Sequence, residues 1–277
     1  MQKTIVVTGC SKKTGVGYHL VNELLARGHR VIATVRHLES SELQIASSSH
    51  SKNLSIKTLD LCEIKSIQQF TQDVLNEYGY IDVLVNNAAD VVIGAVETVT
   101  QQDMQVTFQT KVFGPVALIQ AFLPCMRAKK QGLLIATSSM FCAMPFAIPG
   151  FPIYLSALCA FERICEALAI ELLPWHIHVV NFQCGPLKTN LTHHEGSRHD
   201  VTNEWYKNFL GKTYDWYFKN LVWQNAEDIV KDYADVIEKD QPDFTYQSSA
   251  FARDFVKQYR TDVTGDTYRD ELSKIVD

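Results

Sequence analysis

Short apolar runs alternate with longer amphipathic stretches from the amino terminus to about residue 182. The runs at residues 4–8, 30–35, 54–59, 83–85, 133–137 and 178–182 are rich in β-branched and aliphatic side chains, without strict apolar–polar alternation. That pattern suits strands buried on both faces of a parallel sheet. Between them, residues 18–27, 64–78, 101–129 and 154–173 repeat apolar positions at helical spacing. The alternation predicts an α/β fold: a single doubly wound parallel sheet with helices on both faces and ligand at the carboxyl ends of the strands. The Ser-rich run 39–51 reads as a solvated connection or a frayed helix. Past Gly185-Pro186 the pattern changes. Residues 191–200 are rich in His, Gly and Ser, 204–223 in aromatic side chains, and 226–277 read as helical.

Composition narrows the picture only a little. A chain of 277 residues with 46% hydrophobic and 21% charged side chains is long enough for one large α/β domain and short for two. A formal net charge of −5 argues against nucleic acid or an anionic membrane surface as the main partner. Seven cysteines are scattered through apolar runs with no paired metal-ligand spacing, which favours reduced thiols and a cytoplasmic protein. The first strand begins almost at once, so no secretory leader is expected. No stretch approaches a membrane span on this reading.

Chemistry enters at Thr8-Gly9-Cys10-Ser11-Lys12-Lys13-Thr14-Gly15-Val16-Gly17, between the first strand and the first helix. Glycines there let the backbone approach a pyrophosphate, and the helix amino terminus offers N–H donors and a favourable dipole. Gly9, Ser11, Gly15 and Gly17 are therefore expected to cradle a dinucleotide. Residues 1–190 would form the dinucleotide-binding core of a single domain. Residues 191–224 would form a loop and lid over the substrate, and 225–277 would close the edge. Plain surface packing is the alternative for 191–224. Arg36 follows the second strand, where an acidic residue would hold a free ribose diol, and Lys12 and Lys13 add two more cations. An arginine fork suits a 2′-phosphate, so the expected cofactor is NADP(H). The competing view makes these three residues exposed solubilising charges.

Several spaced segments resemble the short-chain dehydrogenase/reductase family. The loop is similar to its Thr-Gly-x-x-x-Gly-x-Gly motif, with two extra residues before Gly15. Asp60 resembles the residue that contacts the adenine. Asn86-Asn87-Ala88-Ala89 resembles the Asn-Asn-Ala-Gly turn, and Gly185-Pro186 with Thr189 resembles the region embracing the nicotinamide. The resemblance thus implies cofactor contacts from Asp60, Asn87, Ala88, Tyr154, Gly185, Pro186 and Thr189. Lys111-Val112-Phe113-Gly114-Pro115, Leu123-Pro124-Cys125-Met126-Arg127, Glu171-Leu172-Leu173-Pro174, Gln183-Cys184-Gly185-Pro186 and residues 262–268 are similar to hydroxysteroid- and retinol-dehydrogenase-like members. Those members interconvert alcohols and ketones on apolar substrates. The resemblance implies a small apolar substrate as partner and a homodimer or homotetramer.

The family works with Ser, Tyr, Lys and Asn. Ser139 matches the serine, although its spacing of 15 residues to Tyr154 exceeds the commonest arrangement and leaves Ser138 as a lesser candidate. Tyr154 matches the tyrosine. Leu158 stands where the lysine is expected, and Lys111 stands in place of the asparagine. A tyrosine hydroxyl of ordinary pKa about 10 is a poor acid–base group near neutrality, and a nearby ammonium lowers that pKa. Two readings follow. In one, Lys111 reaches toward the space left by Leu158 and supplies the charge, giving an altered oxidoreductase with Ser139, Tyr154 and Lys111 as its catalytic group. In the other, the redox apparatus has decayed, and the scaffold keeps NADP(H) for a cyclisation, an isomerisation or ligand binding.

Other groupings carry less. His193, His194, Glu195 and His199 have spacing that can bind zinc, but a polar loop yields such clusters easily, and no metal is expected. Tyr206, Tyr214, Trp216, Tyr217 and Trp223 fit either an aromatic pocket wall or core packing. No Gly-x-Ser-x-Gly elbow follows a strand, which disfavours hydrolase chemistry.

Overall fold

The computed structural model describes residues 1–43, 51–144, 148–189, 197–199, 204–261 and 264–273. In chain order the first half contains β1 (Thr4–Val7), α1 (Val16–Ala26), β2 (Arg30–Val35), β3 (Leu54–Thr58), α2 (Ile64–Tyr78), β4 (Val83–Asn86), β5 (Val91–Ile93), α3 (Gln101–Phe108) and α4 (Gly114–Lys129). The second half contains β6 (Gly132–Ser139), α5 (Pro152–Glu171), β7 (Ile177–Cys184), β8 (Leu187–Lys188), β9 (Ser197–His199), α6 (Glu204–Asn220), β10 (Gln224–Asn225), α7 (Ala226–Glu238), β11 (Thr245–Gln247), α8 (Ala250–Arg260) and α9 (Asp266–Ser273). Seven strands form one parallel sheet in the order β11-β7-β6-β4-β1-β2-β3. This is the expected doubly wound, Rossmann-type arrangement, reversing direction beside β1.

The continuous apolar runs are explained by burial on both faces. Successive strand residues point to opposite sides, so Ile5 and Val7 pack with Leu20 and Leu24 of α1 and Ile229 and Tyr233 of α7. Val6, Ile32, Leu84 and Leu134 face the other way, onto Phe70 of α2, Phe122 of α4 and Phe161 of α5. A third cluster lies beyond the carboxyl ends of the strands. It joins Met140, Ile148, Leu155 and Leu158 to Tyr217 of α6, Leu221 just after it, and Ala252 of α8.

The structure departs from the sequence reading in three places. The stretch after residue 226 is not wholly helical: β11 pairs with β7 through Thr245–Asn181, Tyr246–Phe182 and Gln247–Gln183. Three half-buried residues give no periodicity long enough to recognise. The expected helix 101–129 runs from α3 through a π-helical stretch, Gln109–Phe113, into α4. Contrary to expectation, that continuous helix is long and apolar enough to cross a membrane by length and composition alone, but half of the stretch concerned is buried in this fold. Finally, the short strands β5, β8, β9 and β10, absent from the sequence reading, pair as β5–β9 and β8–β10; residues 39–43 of the Ser-rich run are irregular, as a connection would be, 51–53 form a short 3-10 turn, and 44–50 lie outside the described residues.

Candidate active site

A cleft of about 460 Å³ opens at the carboxyl ends of β1, β4, β6 and β7. Its floor is the glycine loop. Gly9 has φ of +74°, and a Cβ there would sit 2.6 Å from the Ala88 Cα, so only glycine fits without displacing backbone. A Cβ on Gly17 would lie 2.6 Å from the Gly9 carbonyl oxygen, which fixes how closely α1 approaches the loop. The two extra residues are absorbed in a tight turn, closed by the Gly15 N–H on the Lys12 carbonyl at 2.9 Å. Asn87 ties the loop to β4: its Nδ2 donates to the Thr8 and Gly9 carbonyls at 2.8 and 3.2 Å. The Thr8 hydroxyl accepts from the Asn87 and Ala88 N–H groups at 2.9 and 3.0 Å.

Most predicted cofactor residues converge on this cleft. Gly9, Ser11, Lys12, Gly15, Arg36, Asp60, Asn87, Ala88, Gly185, Pro186 and Thr189 line it. Gly17 lies behind the loop, and Lys13 stands outside the lining, its N–H donated to Glu42 at 3.0 Å. Asp60 is oriented by local bonds, its Oδ1 accepting from the Cys62 N–H at 2.8 Å. Gly185 donates its N–H to the Ser248 hydroxyl at 2.8 Å, and Leu187–Lys188 pairs with Gln224–Asn225, so the chain leaving β7 is held against the cleft.

Ser139, Tyr154 and Lys111 all line the same cleft. Ser139 ends β6 opposite Cys184 of β7, and its Oγ accepts from the Phe141 N–H at 3.3 Å, leaving its own proton for another acceptor. Ser138 is more engaged: its hydroxyl donates to the Cys142 sulfur at 3.5 Å and neighbours the Glu162 carboxyl, whose charged form it favours. Glu162 is buried, accepts from the Gln183 Nε2 at 3.1 Å on both oxygens, and has its carboxyl pushed up by that burial. Tyr154 lies in the first turn of α5 behind Pro152. Burial pushes its phenol well above the ordinary range, with the Cys142 and Cys184 thiols adding to the effect. No described residue hydrogen-bonds its hydroxyl.

Lys111 sits in the π-helical stretch and is only 3% exposed. The wider turn of such a stretch swings one side chain out of helical register, a device frequent at functional sites. Its Nζ donates to the Ala88 carbonyl at 3.2 Å and the Thr137 carbonyl at 3.3 Å. Burial lowers its pKa to about 8, against an opposite influence from the Cys184 and Cys142 thiols. The expected space beside Leu158 is not there. Leu158 is 2% exposed and packed in the apolar cluster with Met140 and Leu155, so the Lys111 amine lies on the carbonyls of the strand ends instead.

Toward its outer end the cleft is apolar, walled by Ile93, Phe141, Phe151, Leu155 and Leu221. Tyr217 and Trp223 join this wall, and Trp216 packs edge-on to Tyr217 with ring centroids 5.2 Å apart. The Tyr214 side chain and residues 193–195 of the histidine-rich segment lie outside the described residues, as do 262 and 263. The sequence reading does not pick out Asp90, Cys184 or Thr137, which also line the cleft. Thr137 forms part of a buried chain in which the Tyr233 hydroxyl donates to it at 2.9 Å. No spacing signal marks these residues, because each is ordinary for a strand end.

A nucleotide-type glycine loop, an Asn-Asn turn and a Ser–Tyr pair at the ends of a Rossmann-type sheet define the site. The short chain dehydrogenase family pattern matches residues 3–200, and the chain belongs to that family. Its similarity runs to the hydroxysteroid- and retinol-dehydrogenase-like members. It is 31% identical over 195 residues to human retinol dehydrogenase 8, covering 68% of this chain and 60% of that protein. It is 32% identical over 197 residues to human 17-beta-hydroxysteroid dehydrogenase type 1, covering 68% of this chain and 58% of that protein. The match therefore spans about three fifths of those relatives. Among solved structures, a short-chain dehydrogenase from Streptomyces avermitilis aligns with a TM-score of 0.82 at 27% identity, covering 99% of this chain and 95% of that one.

Proposed function

We propose that this chain is an NADP(H)-dependent oxidoreductase that interconverts a hydroxyl and a carbonyl on an apolar, cyclic small molecule. The observation that carries the reading is the buried Lys111 ammonium, held by two backbone carbonyls in the same cleft as Ser139 and Tyr154. The residues present fit the cofactor: the Gly9 and Gly17 positions form a cradle that any Cβ would fill. The loop and the α1 amino terminus would hold the pyrophosphate. Arg36 and Lys12 would hold the 2′-phosphate, and Asp60 the adenine. Asn87, Ala88, Gly185, Pro186 and Thr189 would surround the nicotinamide, which when bound gives or takes the hydride.

The chain's own residues handle the oxygen and its proton. Ser139 donates a hydrogen bond to the substrate oxygen, keeping its own proton, and fixes its position. Tyr154 passes a proton to that oxygen during reduction and withdraws it during oxidation. Its phenol is unsuited to this while burial alone acts, because an isolated phenolate is penalised in a low-dielectric cleft. Lys111, a lining residue of the same cleft, is the cation that would supply positive potential there at neutral pH, and loss of such assistance costs roughly 10²–10⁴-fold. Ser138 is set aside for this role because Glu162 and Cys142 already engage its hydroxyl. The apolar wall of Phe141, Phe151, Tyr217 and Trp223 supports a flat, hydrophobic substrate.

A second reading, a cyclase, isomerase or ligand binder that retains NADP(H), is favoured by one observation: burial raises the Tyr154 phenol, and an apolar Leu158 stands one turn away. The two are separated by mixing protein, NADPH and a panel of hydrophobic cyclic ketones while following nicotinamide absorbance and product together. Product with matching NADPH loss is the expected result. Product without NADPH loss overturns the oxidoreductase reading. Exposed Phe113 and Ile170, on the long helices, support a homodimer or homotetramer, which light scattering would test. Seven free thiols support a reducing compartment such as the cytoplasm.

A further inference from the structure

The chain leaving β2 folds back onto the glycine loop. The Glu42 N–H donates to the Ser11 carbonyl at 2.7 Å. The Glu42 carboxylate accepts from the Lys12 Nζ at 3.0 Å on one oxygen and from the Lys13 N–H at 3.0 Å on the other. Both bonds hold that carboxyl below the usual range, the Lys13 N–H first. An ammonium and a backbone N–H converging on two oxygens form the donor set that a phosphate monoester would take. The two residues that widen the loop supply these donors, and Lys12 reaches the cleft that Arg36 also lines.

We infer that Glu42 is an internal anion occupying the cradle meant for the ribose 2′-phosphate, and that it sets how strongly the site prefers the phosphorylated dinucleotide. This rests on the NADP(H) reading above. A bound 2′-phosphate brings close to two negative charges to the same donors. The Glu42 carboxylate must leave Lys12 and Lys13, or else face like-charge repulsion at contact distance. A non-phosphorylated ribose makes no such demand. Glu42 therefore lowers affinity for NADP(H) selectively, compensates the Lys12 ammonium in the free protein, and makes exchange of the cofactor easier.

The test is calorimetric titration of 2′,5′-ADP and of 5′-AMP into the wild-type protein, Glu42→Gln and Glu42→Ala. Glu42 is exposed, so neither variant endangers folding, and neither ligand carries a nicotinamide, so hydride transfer plays no part. Both variants should bind 2′,5′-ADP on the order of tenfold more tightly, the scale of one charge-assisted contact, with 5′-AMP unchanged. If neither variant alters 2′,5′-ADP while the wild type still prefers it to 5′-AMP, the role of Glu42 falls and the NADP(H) reading stands. If the wild type binds 5′-AMP at least as tightly and Glu42→Gln weakens that binding, the carboxylate holds a free ribose diol, and both readings fall.

Discussion

Replacing Lys111 by Met removes a cation that the fold buries with no carboxylate partner among the described residues. Its pKa drops from 10.5 to about 8 on folding. At about 1.36 kcal/mol per unit, that costs about 3 kcal/mol of stability while the amine is charged in both states. The unfolded chain binds more protons than the native one between these two values, so stability rises as pH climbs from about 8 to 10.5 and the penalty is relieved. In the Met variant the penalty is gone, but the Ala88 and Thr137 carbonyls lose a donor, at roughly 1 kcal/mol each. Relative to the wild type, the variant should therefore be most stable at pH 7 and lose on the order of 2–3 kcal/mol of that relative stability by pH 10. Urea midpoints of both proteins across that range measure the difference directly, with other titrating groups cancelling between them. A difference that does not change with pH would refute the buried-cation argument.

Three further outcomes follow from the same geometry. Leu158→Lys should lower stability by about 2–4 kcal/mol and bring no gain in turnover, because it drives an ammonium into the packed cluster around Met140 and Leu155; urea unfolding and NADPH-coupled rates check this. Arg36→Leu should weaken NADPH binding by roughly tenfold to a hundredfold with little effect on NADH, measured by calorimetry. Gly9→Ala should abolish dinucleotide binding and cost roughly 1–3 kcal/mol, since its φ is +74° and the new Cβ would meet the Ala88 Cα at 2.6 Å; dinucleotide titration and thermal melting would register both.

The five inner strands were legible because central parallel strands need apolar side chains on both faces, as Ile5, Val6 and Val7 illustrate, while the edge strand Leu54–Thr58 showed through its alternating Leu54 and Ile56. The edge strand Thr245–Gln247 was hidden by its length and its half-buried Tyr and Gln. The glycine loop could be recognised from spacing, yet the tight turn that absorbs Lys12 and Lys13 depends on the Gly15–Lys12 bond, which spacing does not encode. The identities at 111 and 158 pointed to a changed catalytic group. Where the Lys111 amine lies could not be read, because a π-helical turn, the Ala88 carbonyl of the turn after β4 and the Thr137 carbonyl of β6 determine it. Glu42 escaped notice for a similar reason: it lies in a run without periodicity, and its partners are 29 and 30 residues away.

The most direct test of the central claim is the pH dependence of NADPH-driven carbonyl reduction in the wild type and in Lys111→Met. If a protonated Lys111 supplies the potential that makes Tyr154 an effective acid, the wild-type rate falls as pH passes about 8. In the variant that limb disappears, and the rate at neutral pH is roughly 10²–10⁴-fold lower. An equal rate and an unchanged profile in the variant would contradict the account.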